Sequence, residues 1–289
     1  MLAKKLLIFI AAIAVTTMAC GFNVNLPLTT DIKTGPTVTE EILVLDPDPE
    51  ANSVDVEIAF GAGELFIDPG AEALIEGTVF YNVEDFRPKV ETTIDKVEIS
   101  TGNLEIEGFP NFNNQIENTW NLRLGERPID LKIMAGAYAG DYEFGGLALT
   151  NLQITDGAAD VKLNFSEPNK AALDNFRYDT GASNVILTNL GNANLRAMRF
   201  QGGAGNYELD FSGEMQSDAA VTIETGLSSL TVFVPGDLNV SVRVDSGLTN
   251  IEAQGSWGQS GAVYTHNGTG PCLEITIKIG AGNLILKTD

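Results

Sequence analysis

Two aspartate-containing turns are the residues of this sequence that most directly suggest chemistry. Asp179 opens an Asp-Thr-Gly turn, and Asp245 opens an Asp-Ser-Gly turn. If the fold brought the two carboxylates together, they could share one proton and act as the acid and base of a peptide hydrolase. Whether this chemistry is available depends on the elements that position the two turns.

A glycine-rich turn at residues 202–207 is the second candidate, because it resembles a calcium-binding nonapeptide roll. The ligand aspartate of such a roll falls at the sixth place, which Tyr207 occupies here, and tandem nine-residue copies are missing. No loop has the ligand spacing of a dedicated calcium site. Two Cys and one His are too few for a structural zinc site. The sequence therefore predicts no metal and no other cofactor.

The single histidine, His266, lies in an insertion at residues 257–272 that also contains Trp257 and Tyr264. No Gly-x-Ser-x-Gly elbow accompanies it, so a catalytic triad has little support. Long loops on rigid scaffolds often bind partners. We interpret Trp257, Tyr264 and His266 either as a recognition patch or as side chains folded over the end of the repeat domain.

The N-terminus has the pattern of an export signal at residues 1–19, with two lysines, an apolar run and a small-residue ending before Cys20. The apolar run is too short to span a bilayer as a mature helix. The ending resembles a bacterial lipoprotein signal, which implies that Cys20 is acylated. Because Thr17 stands where Leu is usual, signal cleavage without lipidation stays open, as does a buried apolar helix.

The formal net charge of −22 excludes a protein that tracks nucleic-acid phosphates, which needs a basic face. Anionic headgroups would also repel such a chain. We therefore expect membrane attachment through the lipid on Cys20, at the extracytoplasmic face of the cell membrane. Acylation of Cys20 would leave Cys272 without a disulfide partner.

Residues 20–53 are rich in Thr, Pro and Asp and lack sustained periodicity, which predicts a flexible spacer. The short run from Ile42 to Leu45 is compatible with either a strand or an extended tether.

A repeat of about 22 residues fills 54–289, with 54–125 as a candidate N-terminal subdomain. Each copy is an alternating strand, a glycine turn and a second alternating strand, as in "FRYDTGASNVILTN" and "VTIETGLSSLTVFV". The turn glycines are Gly61, Gly102, Gly136, Gly157, Gly181, Gly203, Gly226, Gly247 and Gly280. Alternation with period two indicates strands with one buried face, and almost no helix is predicted.

Such short units cannot bury their apolar faces alone, so we predict an all-β solenoid of about ten stacked coils. The alternative is a β-sandwich or barrel. In the solenoid, the last copy, at residues 275–289, would form an exposed terminal coil, where Lys278 and Lys287 oppose association.

The repeat weakens the catalytic interpretation of the two turns. The position of Asp179 and Asp245 is occupied by Thr155, Gln201, Glu224 and Lys278 in other copies, as expected of a solvated corner. With copies stacked in chain order, the two aspartates lie three coils apart, about 14 Å at ~4.8 Å per coil, which is too far to share a proton. We expect no enzymatic activity.

The stretch from Asn118 to Phe165 resembles the bacterial toast-rack family, domains of unknown function. The resemblance is carried by the segments 128–131, 145–147, 181–184 and 202–213. It implies a β-solenoid akin to the C-terminal domain of cell-envelope stress regulators and to the "putative adhesin" repeat families. It brings no catalytic residues with it.

The leading hypothesis is an exported, membrane-anchored lipoprotein whose acidic, non-enzymatic solenoid binds a protein or glycan, or has a structural role, at the cell envelope. The alternative is a secreted solenoid that binds or cleaves polysaccharide, a hypothesis that rests on fold analogy. A ladder of Arg177, Arg199 and Arg243 could bind an anionic polymer. Charge compensation by neighbouring carboxylates is the preferred interpretation of that ladder.

Overall fold

The structure, a computed structural model, describes residues 33–101 and 116–289. These residues form one 15-stranded sheet, with Glu84–Phe86 and Leu190–Ala193 as short 3₁₀ turns. The strands are β1 (Val38–Val44), β2 (Val54–Pro69), β3 (Ile75–Tyr81), β4 (Pro88–Thr92), β5 (Lys96–Thr101), β6 (Asn118–Leu124), β7 (Pro128–Glu143), β8 (Ala148–Asn164), β9 (Leu173–Thr188), β10 (Leu195–Asp210), β11 (Ala219–Val234), β12 (Asn239–Gln254), β13 (Gly258–Ser260), β14 (Val263–His266) and β15 (Cys272–Thr288).

Each long strand has two halves that meet at its turn glycine. Buried and exposed residues alternate in both halves of β10, but two exposed residues, Gly203 and Ala204, follow one another between the halves. This change of phase turns the chain through a corner while its inward side chains stay inward. We call the half before the glycine arm 1 and the half after it arm 2.

The layers stack as a parallel, in-register ladder, which confirms the predicted β-solenoid. Strands β2, β7, β8, β9, β10 and β11 follow one another in this ladder, each paired along both arms. The sheet runs from β1 to β13 without closing. The sandwich or barrel alternative is therefore wrong.

Nine layers are present in the described residues, one for each turn glycine of the sequence, where about ten were expected. Eight of the layers are single long strands. The ninth is made of two strands, because β5 pairs with arm 1 of β2 and β6 pairs with arm 2. The glycine of this layer, Gly102, lies outside the described residues.

The layers do not all follow chain order, which corrects one prediction. The last strand, β15, lies between β11 and β12, so residues 272–288 form an inner layer rather than the terminal coil. At the other end, β2 lies between the β5/β6 layer and β7. Both exchanges are possible because every layer presents the same alternating pattern to its neighbours.

The N-terminal strands cover one end of this stack. Strand β3 pairs antiparallel with β6, β1 pairs with β3, and β4 pairs with β5. Residues Ile42–Val44 thus belong to a strand within the range predicted as a spacer. Residues 34–101 and 116–289 belong to one compact unit, so the described part of the candidate subdomain 54–125 shares its sheet with the later layers.

The turn glycines are required by the close approach of successive layers. A Cβ atom on Gly181 would lie 2.4 Å from the carbonyl oxygen of Gly157, and one on Gly203 would lie 2.4 Å from that of Gly181. Inside the corner, aromatic rings pack in sequence: the ring centroids of Tyr178 and Phe200 lie 5.4 Å apart. Packed aliphatic and aromatic side chains fill the interior.

Candidate functional surfaces

The outward face of arm 1 aligns the charged residues that the sequence analysis singled out. Four residues before the glycine, successive layers hold Gln153, Arg177, Arg199, Thr222, Thr276 and Arg243. Two residues before it, they hold Thr155, Asp179, Gln201, Glu224, Lys278 and Asp245. Arg177 and Arg199 are thus direct neighbours, whereas two threonine layers separate Arg199 from Arg243.

Carboxylates neutralise the two neighbouring arginines. Arg177 pairs with Asp179, and the Nη2 atom of Arg199 lies 2.9 Å from Glu224. Lys278 approaches the other oxygen of Glu224 at 2.7 Å, and its hydrogen bond lowers the pKa of that carboxyl. For Arg177 and Arg199, this arrangement is the charge compensation preferred for the arginine ladder, and such solvent-exposed pairs add little to stability.

The two Asp-Thr/Ser-Gly turns lie further apart than predicted. The layers of Asp179 and Asp245 are separated by β10, β11 and β15, because β15 is inserted before β12. Four steps of ~4.8 Å place the two carboxylates about 19 Å apart instead of about 14 Å. The two side chains form no proton-sharing pair.

The glycine-rich turn at residues 202–207 serves packing. The side chain of Tyr207 is buried, and its ring lies against Gly202, where a Cβ atom would be 2.6 Å from the ring carbons. Its hydroxyl also faces Gly205. Among the described residues, no group of three or more His, Cys, Asp or Glu side chains could hold a metal ion.

The insertion at residues 257–272 forms a hairpin that covers arm 1 of the end layer. Strand β14 pairs antiparallel with residues 240–243 of β12, and β13 pairs with β14. Tyr264 and His266 are each only 7% exposed, while Trp257 is half-buried and donates its indole N–H to the Gln254 carbonyl at 3.2 Å. These are the contacts of side chains folded over the end of the stack.

His266 connects two backbone segments. Its Nδ1 atom lies 2.8 Å from the carbonyl oxygen of Ser256, and its Nε2 atom lies 2.9 Å from that of Gly236. A neutral imidazole can donate only one of these hydrogen bonds, whereas the imidazolium donates both. The hydrogen bond to Gly236, followed by that to Ser256, therefore raises the pKa of His266.

A buried polar cluster that the sequence analysis missed surrounds Asp156. The hydroxyl of Tyr178 donates to one carboxylate oxygen at 2.8 Å, and the Thr180 hydroxyl contacts the other. Ser183 lies 2.6 Å from the Thr180 hydroxyl and 3.3 Å from the same Asp156 oxygen. Burial raises the pKa of Asp156, and these hydroxyl groups partly oppose the rise.

The Asp156 cluster is an internal feature of the corner. The position of Asp156 holds Ala135 in the layer before and Thr180 in the layer after, so alignment of the repeats does not mark Asp156 itself. A signal was available in the pattern Thr-Gly-x-Ser, which recurs at Thr225 and Ser228 with hydroxyl oxygens 2.8 Å apart.

The predicted lipid-attachment residue, Cys20, and the signal at residues 1–19 lie outside the described residues. Within the described ranges, no helix is long and apolar enough to cross a membrane. The other cysteine, Cys272, is exposed and is not part of a disulfide.

Comparisons with known proteins place these features in a family. No curated protein matches the chain. Among solved structures, a "putative cell adhesion protein" from Clostridium sporogenes is 20% identical, with a TM-score of 0.49 and coverage of 88% of this chain and 100% of that one. A "putative adhesin" from Bacteroides fragilis is 9% identical, with a TM-score of 0.35 and coverage of 89% and 100%. A "putative lipid binding protein" from Parabacteroides distasonis is 14% identical, with a TM-score of 0.32 and coverage of 90% and 99%.

The family model that matches is described as the N-terminal domain of toast_rack, DUF2154, and it covers residues 33–185. This range is more than half of the chain and includes the segment Asn118–Phe165, on which the resemblance was based. The match reaches into β9, and the layers from β10 onward lie beyond it. The chain belongs to the toast-rack family.

Proposed function

We propose that this chain is an exported, membrane-anchored lipoprotein whose β-solenoid acts without catalysis, as an adhesin-like binding or structural element of the cell envelope. The observation that carries the proposal is the uninterrupted ladder of nine layers. Its inward positions are packed, and the neighbouring arginines on its outward face are neutralised by carboxylates. Such a body is suited to displaying an extended surface.

Support for the membrane anchor comes from the sequence. The segment before Cys20 resembles a lipoprotein signal, and a chain with a net charge of −22 would not be held at an anionic surface by electrostatics. An acylated Cys20 would supply the attachment, and two or three acyl chains are enough for stable anchoring.

The experiment is the intact mass of the protein purified from its native membrane, measured for the natural chain, Cys20→Ala and Cys272→Ala. We expect a mature N-terminus at Cys20 with added acyl mass in the natural chain and in Cys272→Ala, and release of Cys20→Ala from the membrane. Cys272→Ala is the matched control because Cys272 is exposed in the structure. Unmodified, freely released natural protein would contradict the proposal.

The alternative, a secreted solenoid that binds or cleaves polysaccharide, draws on the groove of about 620 Å³ beside Arg177 and Arg199. Two features weigh against it. Both arginines are already paired, and no Trp, Tyr or Phe side chain among the described residues is fully exposed for stacking on a sugar. Calorimetry with an anionic polysaccharide tests the alternative. Binding that is lost in Arg177→Ala/Arg199→Ala would favour it over the envelope role.

A further inference from the structure

The C-terminal end layer leaves half of its strand without a partner. Strand β12 pairs with β15 along its whole length on one side, but on the other side β14 pairs only with residues 240–243. Arm 2 of β12, residues 248–254, therefore has one edge with no strand beside it in the described part of the chain. A free edge of this kind is a template for pairing with another strand.

The inward side chains of this arm are also uncovered. In the two preceding layers, the corresponding positions hold Leu230, Val232, Leu284 and Leu286, all of which are buried. In β12 they hold Ile251, which is half-buried, and Ala253, which is exposed. At the corner beside them, Leu248 is 88% exposed. A further strand on this edge would bury Ile251 and Ala253, whereas the position of Leu248 is an outward one, because Leu227 at the same position of β11 is 65% exposed between two neighbouring strands.

We propose that the edge at residues 248–254 pairs antiparallel with the same edge of a second copy, with Ile251 opposite Ile251 across a two-fold axis. The caps at the two ends of the stack favour this arrangement. Strands β3 and β4 cover the N-terminal layer, and the β13/β14 hairpin covers arm 1 of β12, so the end layers of two copies cannot continue one ladder along both arms. In an antiparallel pair, the two arm 1 segments and their hairpins point away from each other.

Charge also favours a second copy. In this register, Glu252 lies opposite Asn250 of the second copy, so no like charges face each other. The last two layers, β15 and β12, carry three basic and three acidic side chains, although the chain has a net charge of −22. The basic ones are Arg243, Lys278 and Lys287, and the acidic ones are Asp245, Glu252 and Glu274. The rest of each copy still repels the other, so association strengthens as salt screens that repulsion.

The interface is small. A seven-residue strand edge buries less than the roughly 800 Å² per partner of a standard stable complex, so the dimer is weak. Because the interface is isologous, it closes after two copies and makes no filament.

The test is sedimentation velocity of the exported chain carrying Cys20→Ala, over a range of concentrations at about 50 mM and 500 mM NaCl. We expect a monomer–dimer equilibrium that shifts toward the dimer with concentration and salt. Ile251→Glu should lower the dimer association constant at least tenfold. Leu43→Glu, at the exposed edge of β1, should leave the association constant unchanged. A monomer under all conditions, or a dimer that Ile251→Glu does not weaken, would overturn the proposal.

A cross-linking experiment keeps the proposal testable if Ile251→Glu fails to fold. Residues directly opposite in an antiparallel pair have Cα atoms about 4.5–5.5 Å apart, within the range of a disulfide. In a chain carrying Cys20→Ala and Cys272→Ser, Ile251→Cys should form disulfide dimers on oxidation, whereas Leu43→Cys should not. Equal cross-linking by the two variants would contradict the assigned edge.

Discussion

The two ends of the solenoid close in different ways, and Trp120 and Ile251 show the difference. Both residues occupy the layer position that lies four residues after the turn glycine in the single-strand layers, because Trp120 aligns with Leu65 and Ile251 aligns with Leu284. Trp120 is fully buried beneath β3 and packs against Phe60 with ring centroids 5.3 Å apart. Ile251 is half-buried, with no strand above it in the described residues.

The contrast shows that the repeat forms the stacked layers, whereas segments outside the repeat cover the two end layers. At the N-terminal end, two added strands cover both arms of the β5/β6 layer. At the C-terminal end, one hairpin covers a single arm. Closure of an end is therefore a property of the capping segments, and the two ends should differ in stability and in their capacity to bind another strand.

The largest expected effect comes from replacing the two matched side chains. Trp120→Ala should lower the free energy of unfolding by about 3–5 kcal/mol because it opens a cavity in the closed end. Ile251→Ala should cost no more than about 1 kcal/mol because the side chain is already partly in water. Urea unfolding of the two variants measures both values. Equal losses would break the comparison.

The hairpin gives the next largest effect. Tyr264→Ala should cost about 2–3 kcal/mol because the buried ring covers arm 1 of β12. Tyr264→Phe is the matched control, since it removes only the hydroxyl that lies 3.1 Å from Gln259. The same unfolding measurement applies. A cost below 1 kcal/mol for Tyr264→Ala would show that the hairpin does not cap this end.

His266 should make the stability of the C-terminal end depend on pH. Its pKa is raised in the folded chain, so its contribution is complete below the ordinary value of 6.5 and is lost as pH rises through the folded value. Asp289 is the charged group that supports the imidazolium. His266→Gln should remove this pH dependence, at a cost of about 1 kcal/mol in acid. The free energy of unfolding of both chains, measured between about pH 5 and 9, checks this prediction. An unchanged profile in the variant would exclude His266 as its source.

A mid-stack substitution should affect neither end specifically. Asp156→Asn keeps the size of the side chain and removes a buried negative charge, so it should stabilise the chain by about 1 kcal/mol. The raised pKa means that the natural chain loses stability as pH rises through that value, whereas the variant does not. The stability advantage of Asp156→Asn over the natural chain should therefore grow as the pH rises and Asp156 ionises. Destabilisation by Asp156→Asn at neutral pH would show that the ionised form is needed.

Much of the fold could be predicted from the sequence because its signals are local. Alternation in each arm identifies the strands, and the turn glycines mark corners where a Cβ atom would meet the neighbouring backbone. The resemblance on residues 118–165 identified the family that the match at residues 33–185 then showed. These features repeat, so each copy supports the interpretation of the others.

The order of the layers could not be predicted in the same way. Inward residues of β12 and β15 are apolar and have the same spacing, so β11 could pair with either strand as far as the alternation shows. The Asp156 cluster depends on single hydroxyl groups from a neighbouring layer, which lie 22 or more positions away from Asp156 in the sequence. The sequence could not decide whether the insertion is a recognition patch or a cap over the end of the repeat domain. Both roles use the residue types found there, which are Trp257, Tyr264 and His266.

The insertion of β15 has a consequence for how the chain is made. Synthesis proceeds from the N-terminus, and the strand that separates β11 from β12 emerges after both of them. Until residues 272–288 are available, β12 and its hairpin cannot take their final places, and β12 can pair transiently with β11 instead. This end of the stack must therefore mature after residues 272–288 have been made, and a truncation within those residues would damage an inner layer rather than the end layer.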